Sequence, residues 1–517
     1  MPIPMLKEYH PEQGTVRFRT SGFSLDPALE GAREGISAML SLADQSGGQG
    51  ETRFVKNGSL AEEAYALHCD DAGVLAEAGG ETGVVHAAAA LTQLALENGG
   101  VLPACTAFDE PRFGWRGLSL DICRHFFSIG TVRQIVDLLA FYRFNRLHLH
   151  LTEDQGFRFE SERFPLLNSV GSRRESTLIR KHGRSEQDGI PHGGYYTKAE
   201  LRELVAYCKA RGIEIVPEID MPGHALAMIA SYPELACYFD EQNPVRVATS
   251  FGVSEFSKIL LCAGNERTFA FLFGLLDEIM EIFPFEYIHL GGDEAVKDEW
   301  KRCPNCQKVK REQGLKDERE LQGWFLSRVS RYLENRGRKA IIWNDGLCAS
   351  LDPGIVCQYW RPFLAGGKHN AAHYANAGER VIGSDFFHMY FDYPYAATPL
   401  KKTFHYEPVL RGVKKSARAN FTGMECAVWT EWIDTEEKLF FNMLPRLAAA
   451  AEAGWSQGRR NYREFVGKLP SHYALYERLG LTYAKDAEKQ EPFWKQLKTI
   501  KTFLTQNTHV ELPGGGV

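Results

Sequence analysis

From Pro111 onward the chain repeats one unit: a short apolar run with strand character, closed by a carboxylate or a tryptophan, then a stretch with helical spacing. Eight runs fit this description: Gly117–Asp121, Arg146–Leu151, Ile213–Pro217, Tyr287–Leu290, Lys339–Trp343, Ile355–Gln358, Arg380–Gly383 and Gly423–Trp429. Helical spacing follows over Val132–Tyr142, Lys198–Arg211, Glu266–Ile282, Leu321–Arg336 and Lys438–Gly454, while the helices after the fifth, sixth and seventh runs are short or unclear. Strands that alternate with helices pair in parallel, and eight units over roughly 350 residues fit a (β/α)8 barrel with long loops better than a doubly wound sheet. No G-x-G-x-x-G follows the first run, which weakens a dinucleotide-binding alternative.

A barrel places its functional side chains at the carboxyl ends of the strands. Here Asp121 and Arg124 follow the first run, Glu153 and Asp154 the second, Glu218, Asp220 and His224 the third, and Asp293 and Glu294 the fourth. Trp343 and Asp345 close the fifth, Trp360 follows the sixth, Tyr390 and Asp392 the seventh, and Trp429 and Glu431 the eighth. The fourth run, FEYIHLGGDE (285–294), stops at two glycines that open backbone conformations closed to other residues and would present two adjacent acids to a cleft. Taken alone, that is a polar turn; with seven other strand ends aimed at the same place it becomes a catalytic candidate. Acids, an arginine and aromatic platforms in one cleft suit carbohydrate, because rings stack on the apolar faces of sugars while charged groups bond their hydroxyls.

The chain has 517 residues, too many for one ordinary domain. Residues 1–108 mix strand patterns (Thr15–Arg19, Ala64–His68) with an Ala-rich helix (Gly83–Glu97) and read as a small non-catalytic α/β domain. Their glycine-rich loops, Ser46–Gly50 and Gly79–Gly80, lack the lysine and hydroxyl of a P-loop. Residues 109–457 form the expected barrel, and 458–517 a helical extension (Tyr462–Leu469, Ser471–Leu479, Pro492–Leu504) packed on it, with Pro513–Val517 as a disordered end. A formal net charge of −6, from 60 basic and 66 acidic residues without a long single-sign block, offers no footprint for nucleic acid or an anionic membrane.

No apolar run reaches the roughly 18 residues of a membrane span. The N-terminus has no charged segment leading into an apolar one, which points to the cytoplasm unless an export signal has been removed. Eleven cysteines at irregular spacing read as reduced thiols. Cys303 and Cys306 are half of a zinc pattern, but no second pair or histidines follow closely, so they read as structural or incidental and no metal or other cofactor is expected.

Several long motifs in order carry a resemblance: PRFGWRG (111–117), LDICRHFF (120–127), HLHLTEDQ (148–155), PEIDMPGH (217–224), HLGGDE (289–294), LPR (444–446) and GWS (454–456). With them the chain resembles the family 20 glycoside hydrolases, the β-N-acetylhexosaminidases, from about Pro111 to Ser456. The resemblance implies exo-hydrolysis of terminal N-acetylglucosamine or N-acetylgalactosamine from an oligosaccharide, glycan or glycolipid, with retention and through an oxazolinium intermediate formed by the substrate's own acetamido group. It makes Glu294 the general acid/base and Asp293 the group that orients the acetamido N–H. It places Arg124, Asp392 and Glu431 on the sugar hydroxyls, and Trp343, Trp360, Trp429 and Tyr390 around the acetamido group. Asp220 and His224 support the acid/base. At Glu153 many family members have Asp, so the supporting carboxylate is one methylene longer, and Asp154 is a second candidate for that role. Other readings are a lacto-N-biosidase-like enzyme, a covalent glycosidase, and an inactive carbohydrate-binding barrel. A metalloenzyme is weaker, since no histidine pair stands at helical spacing. The sequence does not give the oligomeric state.

Overall fold

The computed structural model describes residues 2–16, 20, 22–43, 50–181, 184–240, 242, 244–251, 258–361, 367–458, 460–489 and 492–505. Most of the expected Ser46–Gly50 loop, the end of the Thr15–Arg19 strand and the Pro513–Val517 tail lie outside the described residues.

Eight parallel strands close into a barrel: β1 (Trp115–Asp121), β2 (Arg146–His150), β3 (Glu214–Glu218), β4 (Tyr287–His289), β5 (Lys339–Trp343), β6 (Val356–Tyr359), β7 (Val381–Gly383) and β8 (Phe421–Val428). Closure is by β8 on β1, in register from Gly423 opposite Trp115 to Val428 opposite Leu120. The expected (β/α)8 fold is therefore present, with each strand within a few residues of its place in the sequence pattern. Alternate residues of each strand point inward. At the amino-terminal end Trp115, Val216, Tyr287, Ile341, Val356 and Ile382 form an apolar plug. One layer higher the filling is ionic. Glu218 takes His148, His150, His289 and the Trp343 indole N–H at 2.5–3.1 Å, and Glu425 takes His148, Gln358 and the Trp115 indole N–H at 2.7–2.9 Å.

Before the barrel stands a six-stranded mixed sheet, in the spatial order Glu8–Val16, Leu102–Asp109, Tyr65–Asp70, Gly73–Ala78, Glu51–Lys56, Ser24–Leu25. The helix Glu81–Glu97 packs on this sheet and against the barrel helix Ile129–Phe141. Its run of alanines lets it be buried nearly all round, as a helix without a polar face must be.

Two helix boundaries differ from the sequence pattern, both at prolines. Lys438–Gly454 is not one helix but two, Glu436–Met443 and Arg446–Trp455, because Pro445 has no N–H to continue the ladder. Tyr462–Arg478 is one helix straight through Pro470, held by the burial of Phe465, Leu469, His472, Leu475 and Tyr476 along one face.

Asp109, at the end of the small sheet's strand, joins sheet and barrel. Its fully buried carboxylate accepts from Tyr65 Oη (2.7 Å), Arg143 Nη1 (2.8 Å), Trp455 Nε1 (3.0 Å) and the Lys7 amide (3.1 Å). Asp109→Ala leaves the equally buried Arg143 without its counter-ion, and urea unfolding is expected to show a loss of about 3–5 kcal/mol, the usual cost of breaking a buried pair from one side.

Candidate active site

The loop after β4 is built around two close approaches. A Cβ on Gly291 (φ 63°) would lie 1.8 Å from Asp220 Oδ1, so only glycine fits there. Asp220 Oδ1 in turn accepts the Gly292 amide at 3.2 Å, while Gln322 donates to the Gly292 carbonyl at 2.6 Å and the Trp343 amide to the Gly291 carbonyl at 2.9 Å. So clamped, the chain delivers Asp293 and Glu294 to the mouth of the barrel. Glu294 itself has φ 46°, and His224, on the facing loop after β3, has φ 50°. Non-glycine residues held there cost about 1–3 kcal/mol each and gather at functional sites.

Glu153 is the hub behind these two acids. Its Oε2 accepts from Arg124 Nη2 (2.8 Å) and His150 Nε2 (3.0 Å), and its Oε1 meets His224 Nδ1 (2.6 Å) and the Asp154 amide (2.8 Å). His224 Nε2 then faces Asp293 Oδ2 at 3.6 Å and Glu294 Oε2 at 3.8 Å. Burial alone would raise the Glu153 carboxyl, but Arg124 and His224 hold it well below the usual range. Burial would likewise lower His224, and Glu153, Asp293 and Asp220 reverse this and keep it well above the ordinary histidine range. Asp154 lies behind this hub: its Oδ1 accepts the Leu226 amide at 3.0 Å, and burial beside Glu153 pushes it up to about 6. Asp220 is pushed well up by burial and then by Asp293.

In front of these groups opens a cavity of about 380 Å³, whose floor holds Arg124, His224, Asp293 and Glu294. Trp360, Tyr390 and Trp429 form its aromatic wall, with Asp392 and Glu431 at the rim of Arg124. Trp360 and Tyr390 stack 5.9 Å apart at 8°, and Trp429 stands 6.1 Å from Tyr390. Trp343 is placed one layer deeper, 6.4 Å from Trp360 and 5.9 Å from Trp429, its indole N–H fixed on Glu218. Asp293 Oδ1 and Asp392 Oδ1 are buried acceptors without a hydrogen-bond partner among the described residues. Burial pushes Asp293 up to about 7, with Glu218 and Glu294 adding to it against His224. Burial and then Glu431 raise Asp392 well above the carboxylate range.

The thirteen residues given a role by the resemblance thus meet at one end of the barrel, with Glu153, Asp154, Asp220 and Trp343 behind the cavity wall. Sequence reasoning missed Arg361, Phe386 and Tyr393, which also line the cavity. Arg361 bridges Glu294 Oε1 at 2.6 Å and Asp345 Oδ1 at 3.1 Å; its only signal was its place next to Trp360. On the helix after β4, Asp298 is exposed, whereas Glu299 is half-buried and burial raises its carboxyl. One expectation needs correction. Cys303 and Cys306 do have a second pair, Cys237 and Cys262, which lies upstream in the chain rather than downstream, so the ground for expecting no metal site falls.

Glu153→Gln removes the charge that holds His224 protonated. A histidine-selective NMR titration is expected to place the His224 pKa well above the ordinary range in the wild type and to show it fall in the variant.

The profile of the glycosyl hydrolase family 20 catalytic domain matches residues 113–458. The chain is 36% identical to a β-hexosaminidase of Akkermansia muciniphila over 80% of its own length and 84% of the relative's. It is 31% identical to a β-N-acetylhexosaminidase of Cellulomonas fimi over 93% and 95%. Among solved structures it is similar to an exo-β-N-acetylglucosaminidase of Vibrio harveyi in complex with N-acetylglucosamine, at 28% identity and a TM-score of 0.81 over 94% of this chain and 78% of that one. With the closed barrel and the Asp293–Glu294 pair at its mouth, these matches place the chain in glycosyl hydrolase family 20.

Proposed function

We propose that this glycoside hydrolase is an exo-β-N-acetylhexosaminidase that removes terminal non-reducing N-acetylhexosamine with retention, using the substrate's acetamido group as nucleophile. The observation that carries this reading is Asp293: a largely buried carboxylate with one oxygen unpartnered among the described residues, one residue from an acid at the cavity mouth and facing a cage of aromatic rings. An acetamido N–H would satisfy Asp293 Oδ1, and the acetamido methyl fits against Trp360, Tyr390 and Trp429. Arg124 and Asp392, the latter with a buried oxygen unpartnered among the described residues, would bind hydroxyls of the same sugar. No helix among the described residues is long and apolar enough to cross a membrane.

In this scheme the acetamido oxygen attacks the anomeric carbon while the bond to the leaving oxygen breaks and Glu294 gives that oxygen its proton. The oxazolinium N–H is held by ionised Asp293. Glu294 then takes a proton from water, which attacks the anomeric carbon from the face the aglycone left, and the acetamido group is restored. Arg361, itself held by Asp345, donates to Glu294 Oε1, which leaves Oε2 as the oxygen to carry the proton in the acid step.

An aryl N-acetyl-β-glucosaminide should be hydrolysed and the plain β-glucoside nearly untouched, with a thiazoline mimic of the oxazoline inhibiting; equal rates on the two glycosides would reject substrate assistance. Glu294→Gln should lower kcat by at least ~10²-fold. Because ionised Asp293 is the working form and its carboxyl is pushed up to about 7, kcat/KM should fall as pH drops through that region, and Asp293→Asn should remove this acid limb along with most of the rate.

A further inference from the structure

We infer that Cys237, Cys262, Cys303 and Cys306 form a structural zinc site. Their four sulfur atoms all lie within 4.8 Å of one another, with Cys237–Cys306 at 3.6 Å, Cys262–Cys306 at 3.7 Å and Cys262–Cys303 at 3.8 Å. A tetrahedral zinc with bonds near 2.3 Å holds its sulfurs about 3.8 Å apart, whereas a disulfide needs about 2.05 Å. All four cysteines are free thiols, three of them buried, and thiols are such weak hydrogen-bond partners that packing four together has no other evident gain.

The local backbone is built like a pair of knuckles. Cys303 caps the helix Pro304–Glu312, with Pro304 at its first position and Cys306 in its first turn. Opposite, Ala236 bridges Leu261, and the Cys262 amide donates to the Leu235 carbonyl at 2.8 Å, which sets Cys237 and Cys262 side by side. Gly264 lies so close that a Cβ there would come within 2.2–2.5 Å of the Asn305–Cys306 peptide. Four thiolates around one ion leave no open position, so the metal does no chemistry on substrate. It joins two loops instead. Leu261 donates its amide to Pro222, beside His224, and accepts from the Trp300 indole on the helix that follows Asp293 and Glu294. Binding releases the thiol protons to solvent, with no change of oxidation state.

The test is metal analysis of the purified full chain grown with zinc supplied. About one zinc per chain is expected, released on titration with a mercurial and detected by a chromophoric chelator; replacement by Co²⁺ should give the intense visible bands of a tetrahedral tetrathiolate. Cys348→Ser, outside the cluster, should keep its zinc, and Cys306→Ser should lose it and melt at lower temperature. Where Cys306→Ser does not fold, the mercurial titration of the wild type decides. Zinc well below one per chain, iron in its place, or release of zinc without loss of the four thiols would overturn the assignment.

Discussion

Glu218 lies at the centre of the barrel with no exposed surface, and the site rests on how that charge is compensated. A lone carboxylate there would be prohibitive, so it is compensated: His150 and the Trp343 indole N–H bond to it, and the rings of His148 and His289 lie within 3.1 Å of it. Burial would raise its carboxyl, but the histidines hold it well below the usual range. Each partner is thereby given an orientation. His150 turns its other nitrogen to Glu153, Glu153 aims Arg124 and His224, and His224 faces the two acids at the mouth. The active site is thus the outer end of a chain of charged hydrogen bonds that begins in the barrel core. Trp343 belongs to both ends, bonded to Glu218 below and packed under the aromatic cage above.

The same chain sorts the acids into two kinds. Glu153 and Glu218, each given cationic partners, are kept ionised in spite of burial. Asp293, Asp392 and Glu431 line the cavity and Asp345 stands behind Arg361; burial outweighs the cations near all four, so their carboxyls are raised. Asp154 and Asp220, behind the wall but without a bonded cation, are raised as well, so direct cationic partners rather than position make Glu153 and Glu218 fixed charge, while the raised acids at the cavity gain most from a ligand that brings them hydrogen-bond donors. A sugar with an N–H and several hydroxyls is such a ligand.

What could be read in the sequence follows from how local each signal is. Strand apolarity and the residue after each strand are adjacent in the chain, so all eight barrel strands and the acids and tryptophans at their ends were legible. The inward histidines were not, because the period-two pattern of His148 and His150 looks like any half-buried strand until Glu218 is seen between them. Glu153 looked like an awkward replacement; in the fold its added length reaches Arg124, His150 and His224 at once. Arg361 has meaning only through Glu294 and Asp345, which come from two other strands. Pro445 and Pro470 look alike in the sequence, yet one separates two helices and the other lies inside one, and burial does not tell them apart, since both helices beside Pro445 are buried as well.

The strained residues show why the loops beyond β3 and β4 must be stiff. His224 and Glu294 both sit in the left-handed region, at a combined cost of about 2–6 kcal/mol. Relaxing either would point its side chain elsewhere, so the surroundings must over-determine both. From below, Asp220 does this by occupying the space where a Cβ on Gly291 would lie and by taking the Gly292 amide. From the sides, Leu261 holds Pro222 and Trp300, and the four cysteines gather the segments that carry these contacts. A loop tied on only one side could relax by swinging away from it; tied on both, it keeps the acid and its histidine within 4 Å of each other, as the Glu294–His224 distance of 3.8 Å requires.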